Sequence, residues 1–519
     1  MSARGVVAAG HPLTAEAGAR VLREGGNAVD AAIAAVLTSC VTESTLTGLG
    51  AGGYMLVRDG SEPVVLDFFV AVPGLDGAER SSELVPIPIY FTPDVPQVFH
   101  IGAASCGVPG TPAGLVAAAE RFGSVPLADL ATPAARLARE GVTVNPEQAY
   151  FLKILAPILI HYDEARRIYA PRGQILGAGD EFVFAELGDA LERLGADGAE
   201  PFYRGDIAAA MAAWVRERGG TLGVDDLAAY EPIAREPVEV SFHGRRVMTN
   251  PPPSSGGILI AYALALLEWL GECGTEQVVG AMEAAQAARN EDFLAGLREE
   301  SFPERFLDPE RIALAAAGVA AALETGGGPR RTPDDPLGST THITAVDGDG
   351  GCASVTCSNG TGSGLVVPDT GVHVNSMLGE EDLNPHGFHR HAPGVRMPSM
   401  MSPSLVLSDG ELELGLGSGG SNRIRSAVLQ TIVRLLVDGD DVAHAVVAPR
   451  VHFESGAVQA EPGVDEAVLA RLEERGYEVA RWQALNVFFG GVHAVARNPA
   501  TGELSAGGDP RRGGAVAFA

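Results

Sequence analysis

A glycine- and proline-rich segment divides the chain into two parts with different hydrophobic patterns. The segment runs from Glu324 to Gly338 as ETGGGPRRTPDDPLG, and its only large apolar residue is Leu337. This composition predicts an exposed, mobile connection. From about residue 110 to residue 323 the apolar residues recur at helical spacing, whereas after the segment they follow the pattern of strands. We therefore expect layers of helices and strands, with the helix-rich part first.

The strand-rich part opens with a predicted hairpin. Two runs of alternating residues flank the Gly-Asp-Gly turn at 348–350, which is a hairpin signal. Antiparallel pairing about this turn places Ser358 opposite Thr340 and Thr356 opposite His342. Because successive side chains of a strand point to opposite faces, one face should carry five polar residues: Thr340, His342, Thr344, Thr356 and Ser358.

The charge and composition of the chain exclude several classes of protein. The 519 residues carry a formal net charge of −29, so nucleic acids and anionic membrane surfaces would be repelled. Lys153 is the only lysine, and Leu152 before it excludes a P-loop. The five cysteines are scattered without a C-x-x-C motif, which is usual in a reducing compartment. Since we find no signal-peptide pattern and no apolar run of membrane-spanning length, we predict a cytoplasmic protein.

Two glycine-rich loops formally match the dinucleotide-binding pattern G-x-G-x-x-G. The first, at residues 48–53, precedes a predicted strand, so tight backbone packing is its expected role. The second, at residues 415–420, lies between a predicted strand and a predicted helix. Backbone N–H groups there would suit a negative charge, either a pyrophosphate or a transient oxyanion. No later strand ends in an acid that would hold a ribose, so we predict no dinucleotide cofactor.

Three histidines cluster in the sequence NPHGFHRHAPG. His386, His389 and His391 look like a metal-binding tract, but neither an H-E-x-x-H motif nor a carboxylate partner accompanies them. The alternative explanation is a solvated loop rich in proline and glycine. We therefore predict no metal and no other cofactor.

Thr340, Thr341 and His342 follow the exposed segment directly and allow two interpretations. The first is the start of an ordinary strand, because threonine favours strands. In the second, a chain cut before Thr340 would free its α-amine. A threonine hydroxyl needs a base to become a nucleophile, and an α-amine, whose pKa is about 7.7–8, can serve as that base. The residue pattern by itself leaves both interpretations open.

Motifs spread over nearly the whole chain resemble those of the gamma-glutamyltranspeptidase family. In chain order they are HPLTAEAGARVLREGGNAVDAAIAA, GLGAGG, GVPGTPAGL, PFYRGDIA, GGTLGVDDLAAYEP, NPPPSSGG, TTHITAVD, PSMMSP, GSGGSNRIRSAVLQ and APRVH. The resemblance implies an α+β fold, namely a four-layer αββα sandwich of the N-terminal-nucleophile hydrolase type. It also implies a precursor, or zymogen, that cuts itself at Ser339–Thr340. The products would be a large subunit, residues 1–339, and a small subunit, residues 340–519, which share one core.

The resemblance also assigns catalytic roles to individual residues. Thr340 corresponds to the nucleophile of the family. Thr356 and Ser358 correspond to the hydroxyl positions that hydrogen-bond the nucleophile, and Ser358 is a serine where many members have threonine. Gly419 and Gly420 correspond to the pair that forms the oxyanion hole, where a lost donor typically costs about 10²–10³ in rate.

The substrate-binding positions depart from the family pattern. Phe69 follows the L-D-F element, where the family has an arginine for the substrate α-carboxylate, and an apolar ring cannot replace that charge-assisted pair. The acid that holds the substrate α-amine corresponds to Glu380. Of two paired serines Ser399 remains, and Met400 replaces the second. We therefore expect a more open and less glutamyl-specific pocket. Two arginines are candidate substitute partners for a substrate anion: Arg396 and Arg423.

Three functions remain open on the sequence. The first is a self-processing N-terminal-threonine amidohydrolase or acyltransferase of glutathione metabolism, which cleaves γ-glutamyl or related amide bonds through an acyl-enzyme. The second is a cephalosporin-acylase-like amidase on a non-glutamyl acyl amide, and the third is an inactive relic that serves as a binding module. The retained threonine, hydroxyl and glycine positions favour an enzyme. Its expected partners are a small-molecule amide, such as glutathione or another γ-glutamyl compound, and the two subunits of one precursor.

Overall fold

The polypeptide forms two stacked sheets that helices cover. The computed structural model describes residues 4–92, 95–325 and 340–519. Within them the helices are α1 (Pro12–Glu24), α2 (Ala28–Thr42), α3 (Thr111–Phe122), α4 (Leu127–Glu140), α5 (Pro146–Leu159), α6 (Asp163–Tyr169), α7 (Ala185–Asp197), α8 (Glu200–Tyr203), α9 (Asp206–Glu217), α10 (Val224–Ala228), α11 (Ser255–Leu270), α12 (Thr275–Ala288), α13 (Glu291–Gly296), α14 (Phe302–Phe306), α15 (Pro309–Thr325), α16 (Arg423–Val433), α17 (Val442–Val447) and α18 (Glu466–Glu474). The strands are β1 (Gly5–Ala9), β2 (Gly52–Arg58), β3 (Val64–Phe68), β4 (Val85–Thr92), β5 (Val95–Ile101), β6 (Val142–Thr143), β7 (Glu181–Phe182), β8 (Ile233–Arg235), β9 (Val238–Phe242), β10 (Arg245–Thr249), β11 (Thr341–Asp347), β12 (Cys352–Ser358), β13 (Val366–Val367), β14 (Val372–His373), β15 (Ser404–Ser408), β16 (Glu411–Gly419), β17 (Val451–Glu454), β18 (Ala457–Ala460), β19 (Glu478–Arg481), β20 (Gly491–Arg497), β21 (Leu504–Gly508) and β22 (Ala515–Phe518).

The larger sheet combines strands from both ends of the chain. Its order is β22-β1-β11-β12-β2-β3-β8, and all neighbouring strands are antiparallel. The second sheet has the order β21-β20-β16-β15-β10-β9. β11, which begins directly after Thr340, therefore lies in the interior of the larger sheet between β1 and β12. A cut before Thr340 would leave its two products joined within this sheet.

The central strands of each sheet are buried on both faces. α1 and α2 pack on one side of the larger sheet, α11 and α16 pack on the second sheet, and β11 and β12 contact β16 between the sheets. One apolar core lies between α2 and the larger sheet, and another fills the space between the sheets and beneath α11. The order of layers is helix, sheet, sheet, helix. This arrangement confirms the predicted α+β class and its αββα sandwich.

α2 is buried along its whole length, and its sequence explains how. Its residues are AVDAAIAAVLTSCVT, and the many small alanines let α1 and α4 approach it closely. Asn27 caps the first turn because its side chain accepts hydrogen bonds from the backbone N–H groups of Val29 and Asp30. At the other end the helix stops at Glu43. α2 thereby carries the Glu43 side chain to the start of β11, where it meets Thr341.

The structure confirms the hairpin but corrects the predicted division into a helix-rich and a strand-rich part. β11 and β12 pair His342 with Thr356, as expected. β2, the strand predicted after the first glycine-rich loop, is present, but together with β1 and β3 it belongs to the same sheet as the hairpin. β8, β9 and β10 also lie inside the region predicted to be helical. These strands have only three to five residues. VEVSF does alternate apolar and polar residues as a strand does, but so short a pattern was overlooked within a region of helical periodicity.

A histidine caps the first helix. α1 begins at Pro12 and is capped by His11, whose Nδ1 accepts from the N–H of Leu13. Thr14, in the first turn of α1, hydrogen-bonds the Thr42 hydroxyl and donates to Oε1 of Glu43.

The predicted exposed segment lies mostly outside the described residues. Only Glu324 and Thr325 are described, and they end α15. Ser339, the residue before the expected cleavage point, also lies outside them. None of the helices in the described ranges combines the length and apolarity needed to span a bilayer.

Candidate active site

Thr340 lies directly before the first residue of β11 and is buried, with 4% of its surface exposed. Its carbonyl oxygen accepts a hydrogen bond from Nη1 of Arg512 at 3.1 Å. The register that pairs His342 with Thr356 places Ser358, the last residue of β12, across from Thr340. Two hydroxyl side chains therefore lie next to each other where the hairpin opens.

A small pocket brings together six of the residues that the sequence singled out. Thr340 and Ser358 line it with four others: Phe69, Glu380, Ser399 and Met400. Its volume is about 30 Å³, which has room for about one water molecule and is smaller than the more open pocket that the sequence predicted. The rest of the lining is Gly360, Met377, Asp382, Leu383, Met401, Ser421 and Ile424.

The expected oxyanion-hole glycines lie at the end of β16, beside Thr340. A Cβ atom on Gly419 would lie 2.2 Å from the Thr340 carbonyl oxygen, so only glycine fits this close approach. Gly420 has a φ angle of 126°, and Ser421 after it has a φ angle of 51°. A non-glycine residue in the left-handed region is strained, and such strain is concentrated at functional sites. The shape of this turn therefore depends on backbone angles and close backbone contacts rather than on large side chains.

Thr356 lies behind the pocket rather than in its lining. Its hydroxyl hydrogen-bonds Nδ1 of His342 at 2.8 Å, and Nε2 of His342 hydrogen-bonds the Thr344 hydroxyl at 2.9 Å. Because Thr344 donates its proton to the carbonyl oxygen of His493, it accepts from Nε2–H. Burial lowers the pKa of His342 well below its usual value, so the ring is neutral and its Nδ1 accepts from Thr356. Three residues of the predicted polar face, Thr356, His342 and Thr344, thus form an internal chain of hydrogen bonds.

Glu380 occupies the position expected to hold a substrate amine. One carboxyl oxygen accepts from the N–H of Thr361 and from the Ser376 hydroxyl, both at 3.1 Å. Burial, and to a smaller extent the charge of Asp382, raises the pKa of Glu380 to about 8. At neutral pH this side chain is therefore mostly a neutral acid that can both donate and accept a hydrogen bond.

Phe69 closes one side of the pocket with an immobilised ring. It is fully buried and stacks on Tyr54 with the ring centroids 5.5 Å apart. Its backbone is fixed as well: the N–H donates to Asp67 Oδ1 at 3.0 Å, and the carbonyl oxygen accepts from the Tyr230 hydroxyl at 2.8 Å. This wall is therefore apolar and rigid.

The two arginines suggested as substitute anion partners do not line the pocket. Arg396 pairs with Asp67, Nε to Oδ1, at 3.3 Å, and its guanidinium lies over the ring of Tyr230. Arg423 pairs with Glu454, Nη2 to Oε2, at 3.4 Å. Each guanidinium is thus engaged by a carboxylate of the protein. Within the described lining of the pocket there is no arginine or lysine.

Sequence reasoning missed two polar residues of the pocket. The Ser421 hydroxyl donates to Asp382 Oδ2 at 2.5 Å, which links the turn after β16 to the loop of Glu380. Ser421 directly follows the glycine pair, and Asp382 stands two positions after Glu380. Both residues are close in sequence to predicted site residues, and this closeness was the available signal. Side chains in a loop do not alternate regularly, however, so the sequence does not show which of the consecutive acids faces the pocket.

The three histidines lie on a loop beside the pocket. Nε2 of His391 hydrogen-bonds the carbonyl oxygen of Leu383 at 3.0 Å, and Phe388 between the other two packs on the ring of His100. Among the residues that the structure describes, no group of three His, Cys, Asp or Glu side chains could hold a metal ion.

Comparisons with known proteins identify the family and the fold of the chain. The model of the family described as gamma-glutamyltranspeptidase matches residues 14–519. The glutathione hydrolase proenzyme of Escherichia coli is 31% identical over 98% of this chain and 90% of its own, and the acylase ACY 1 proenzyme of Pseudomonas sp. strain V22 is 32% identical over 96% and 90%. The crystal structure of cephalosporin acylase from Bacillus halodurans superposes with a TM-score of 0.85 at 26% identity, covering 99% of this chain and 96% of that one. The αββα sandwich is accordingly that of N-terminal-nucleophile hydrolases, and the chain belongs to the gamma-glutamyltranspeptidase family.

Proposed function

We propose that this family member is a self-processing N-terminal-threonine amidohydrolase or acyltransferase that cleaves γ-glutamyl or related amide bonds through an acyl-enzyme. The observation that carries the proposal is the position of Thr340. It precedes an interior strand, shares a pocket with Ser358 and Glu380, and lies against Gly419. A residue that only begins a strand does not need polar groups around it. The polar surroundings of Thr340 therefore favour a catalytic role.

Self-cleavage is the first reaction of the proposal. The Thr340 hydroxyl attacks the carbonyl carbon of Ser339, and the amide nitrogen leaves as the free α-amine of Thr340. The resulting ester links Ser339 to the Thr340 oxygen, and water hydrolyses it to give a new carboxylate and a free hydroxyl. The proposed subunits, residues 1–339 and 340–519, stay together because β1 and β11 are paired in one sheet.

Amide cleavage then uses the groups that this cut releases. The α-amine of Thr340 takes the proton of its own hydroxyl as the oxygen attacks the substrate carbonyl. Backbone N–H groups of Gly419 and Gly420 stabilise the oxyanion, and the protonated amine delivers the proton to the leaving nitrogen. The acyl group stays on Thr340 as an ester until water, or the amine of an acceptor, removes it.

The lining of the pocket supports weak activity on glutathione. The γ-glutamyl group carries an α-carboxylate, whereas the described lining offers the carboxyl groups of Glu380 and Asp382 and no cation. A charge-assisted hydrogen bond contributes roughly 1.5–3 kcal/mol, so its loss in the transition state lowers kcat/KM by about 10- to 200-fold. We infer that the favoured acyl group is related to γ-glutamyl but lacks its α-carboxylate.

The test compares the wild type with Thr340→Ala and Thr340→Ser. Intact mass spectrometry follows chain cutting, and a panel of glutathione, a γ-glutamyl anilide, a glutaryl anilide and simple acyl anilides follows hydrolysis. We expect Thr340→Ala to stay uncut and inactive, while Thr340→Ser keeps a hydroxyl and cuts itself more slowly. A Thr340→Ala protein that is cut and hydrolyses the panel at the wild-type rate would refute the proposal.

A further inference from the structure

A buried carboxyl group lies next to the proposed nucleophile, outside the pocket. Glu43 follows the last residue of α2 and has 1% of its surface exposed. Its Oε1 accepts from the Thr14 hydroxyl at 3.0 Å, and its Oε2 accepts a short hydrogen bond from the Thr341 hydroxyl. Thr341 is the residue bonded directly to Thr340. The Glu43 carboxyl group is therefore hydrogen-bonded to the residue that directly follows the proposed nucleophile.

The other side of the same peptide unit is also held. Nη1 of Arg512 donates to the carbonyl oxygen of Thr340 at 3.1 Å. Arg512 is buried, which lowers the pKa of its guanidinium to about 10, so it remains a cation at neutral pH. The Thr340 carbonyl and the Thr341 hydroxyl are thus fixed by groups from opposite ends of the chain, and the backbone between them cannot rotate freely.

We propose that Glu43 is a positioning residue for Thr340: by holding the Thr341 hydroxyl it fixes the backbone that aims the Thr340 oxygen. This inference rests on the proposed function of Thr340. The same restraint acts in both reactions, since the oxygen must be aimed first at the Ser339 carbonyl and later at the substrate carbonyl. Attack requires the reacting atoms to be about 3–3.5 Å apart, and a misplacement of about 1 Å costs roughly 10²-fold in rate.

The packing around Glu43 is consistent with a fixed position of its carboxyl group. A Cβ atom on Gly10 would lie 2.4 Å from Oε2 of Glu43 and 3.3 Å from the Thr341 hydroxyl oxygen. Glycine at this position therefore leaves the space in which the carboxyl group and the hydroxyl meet. Because Glu43 precedes the proposed cut and Thr341 follows it, their hydrogen bond would continue to act between the two subunits after cleavage.

Two isosteric variants separate positioning from ordinary stabilisation. Thr14 and Thr341 each donate one hydrogen bond to the same carboxyl group, but only Thr341 adjoins the nucleophile. Thr14→Val and Thr341→Val each remove a hydroxyl and leave one carboxyl oxygen without that donor, so both should lower the melting temperature. Only Thr341→Val should slow the chemistry.

The experiment measures self-cleavage rate, kcat, KM and melting temperature for the wild type, Thr14→Val, Thr341→Val, Glu43→Gln and Glu43→Ala. We expect Thr341→Val and Glu43→Ala to reduce the self-cleavage rate and kcat by about 10- to 100-fold with KM nearly unchanged. Glu43→Gln keeps an acceptor oxygen and should recover most of the loss. Thr14→Val should keep the wild-type kcat.

Several outcomes would overturn the inference. Equal effects of Thr14→Val and Thr341→Val on kcat would show that Glu43 only stabilises the fold, and so would a wild-type self-cleavage rate in Thr341→Val. If Glu43→Ala does not fold, Gly10→Ala replaces it, because the added methyl group displaces the carboxyl group from Thr341. A wild-type protein that behaves like Thr340→Ala would refute the proposed function itself, which is a different result from any of these.

Discussion

The two sides of the pocket are built in different ways. The side that holds Thr340, Ser358 and Gly419 is made by strands β11, β12 and β16, whose pairing and close packing fix where each residue lies. The other part of the lining includes the side chains of Phe69, Glu380 and Met400, which stand on loops or at strand ends. A change of backbone register would displace every residue of a strand, whereas the exchange of one of these side chains leaves the register of the strands unchanged. The type of reaction and the choice of substrate can therefore vary separately in this chain.

The strand-built side should be the more sensitive to a minimal change. In Gly419→Ala the added Cβ atom would meet the Thr340 carbonyl oxygen at 2.2 Å, which forces the backbone of one of the two strands to move. We expect both self-cleavage and amide hydrolysis to fall by about 10²–10³-fold, similar to the loss of an oxyanion donor.

Gly318→Ala is the matched control for that prediction. Gly318 lies in α15, and a Cβ atom there would meet nothing within 4 Å, so alanine should leave the rates unchanged and favour the helix slightly. Rates of Gly419→Ala within twofold of the wild type would show that this side of the pocket is less constrained than its geometry indicates.

The side-chain-built side should change specificity instead of chemistry. Phe69→Arg would introduce a cation where the described lining has none, so we expect kcat/KM for glutathione to rise about 10-fold, part of the 10- to 200-fold assigned to the missing pair. The native acyl substrate should be cleaved less well, because a buried guanidinium without a partner is destabilising.

Phe69→Leu, which keeps the wall apolar, controls for lost packing and should show no gain on glutathione. The account of specificity fails if the wild type already hydrolyses glutathione at about 10⁴ M⁻¹s⁻¹ or above and Phe69→Arg brings no gain.

Glu380 predicts a pH dependence of stability. Burial raises the pKa of this acid to about 8, from about 4.3 in an unfolded chain. The folded state therefore binds more protons between these values, and the free energy of unfolding should fall as the pH rises from about 4 to about 8, by at most about 1.4 kcal/mol per pH unit. In Glu380→Gln this part of the slope should disappear.

Denaturant titrations at several pH values measure that slope, with Glu381→Gln as the control on the same loop. Only the difference between the wild type and each variant is interpreted, because Glu43 has its pKa raised to about 7 by burial and contributes in the same direction. An unchanged slope in Glu380→Gln would mean that Glu380 is ionised in the folded protein.

Of the changes considered, metal removal should have the smallest effect on activity. The proposed base is the Thr340 amine, and Nε2 of His391 is occupied by the Leu383 carbonyl oxygen. A chelator should therefore leave kcat/KM unchanged. Activity that is lost with a chelator and restored by zinc would make the loop of His386, His389 and His391 a metal site.

The sequence predicted local strand pairing and the positions of motifs better than it predicted contacts between distant parts of the chain. The pairing of His342 with Thr356 was predictable because a strand has a period of two and the turn sets the register. The contact of Arg512 with the Thr340 carbonyl was not, since the two residues lie 172 positions apart and no periodic pattern links them. Asp382 was missed for a related reason: the sequence of a loop does not show which of several consecutive acidic side chains faces the pocket. Motifs therefore locate the site, and the fold decides which polar groups complete it.

The central claim is that Thr340 becomes the N-terminal residue of a separate chain. Mass spectrometry and N-terminal sequencing of the purified wild-type protein test it directly. The account predicts two fragments that copurify, the smaller beginning with Thr340 and carrying a free α-amine. An intact single chain that hydrolyses amides at the same rate before and after prolonged incubation, or an active fragment that begins at another residue, would contradict it.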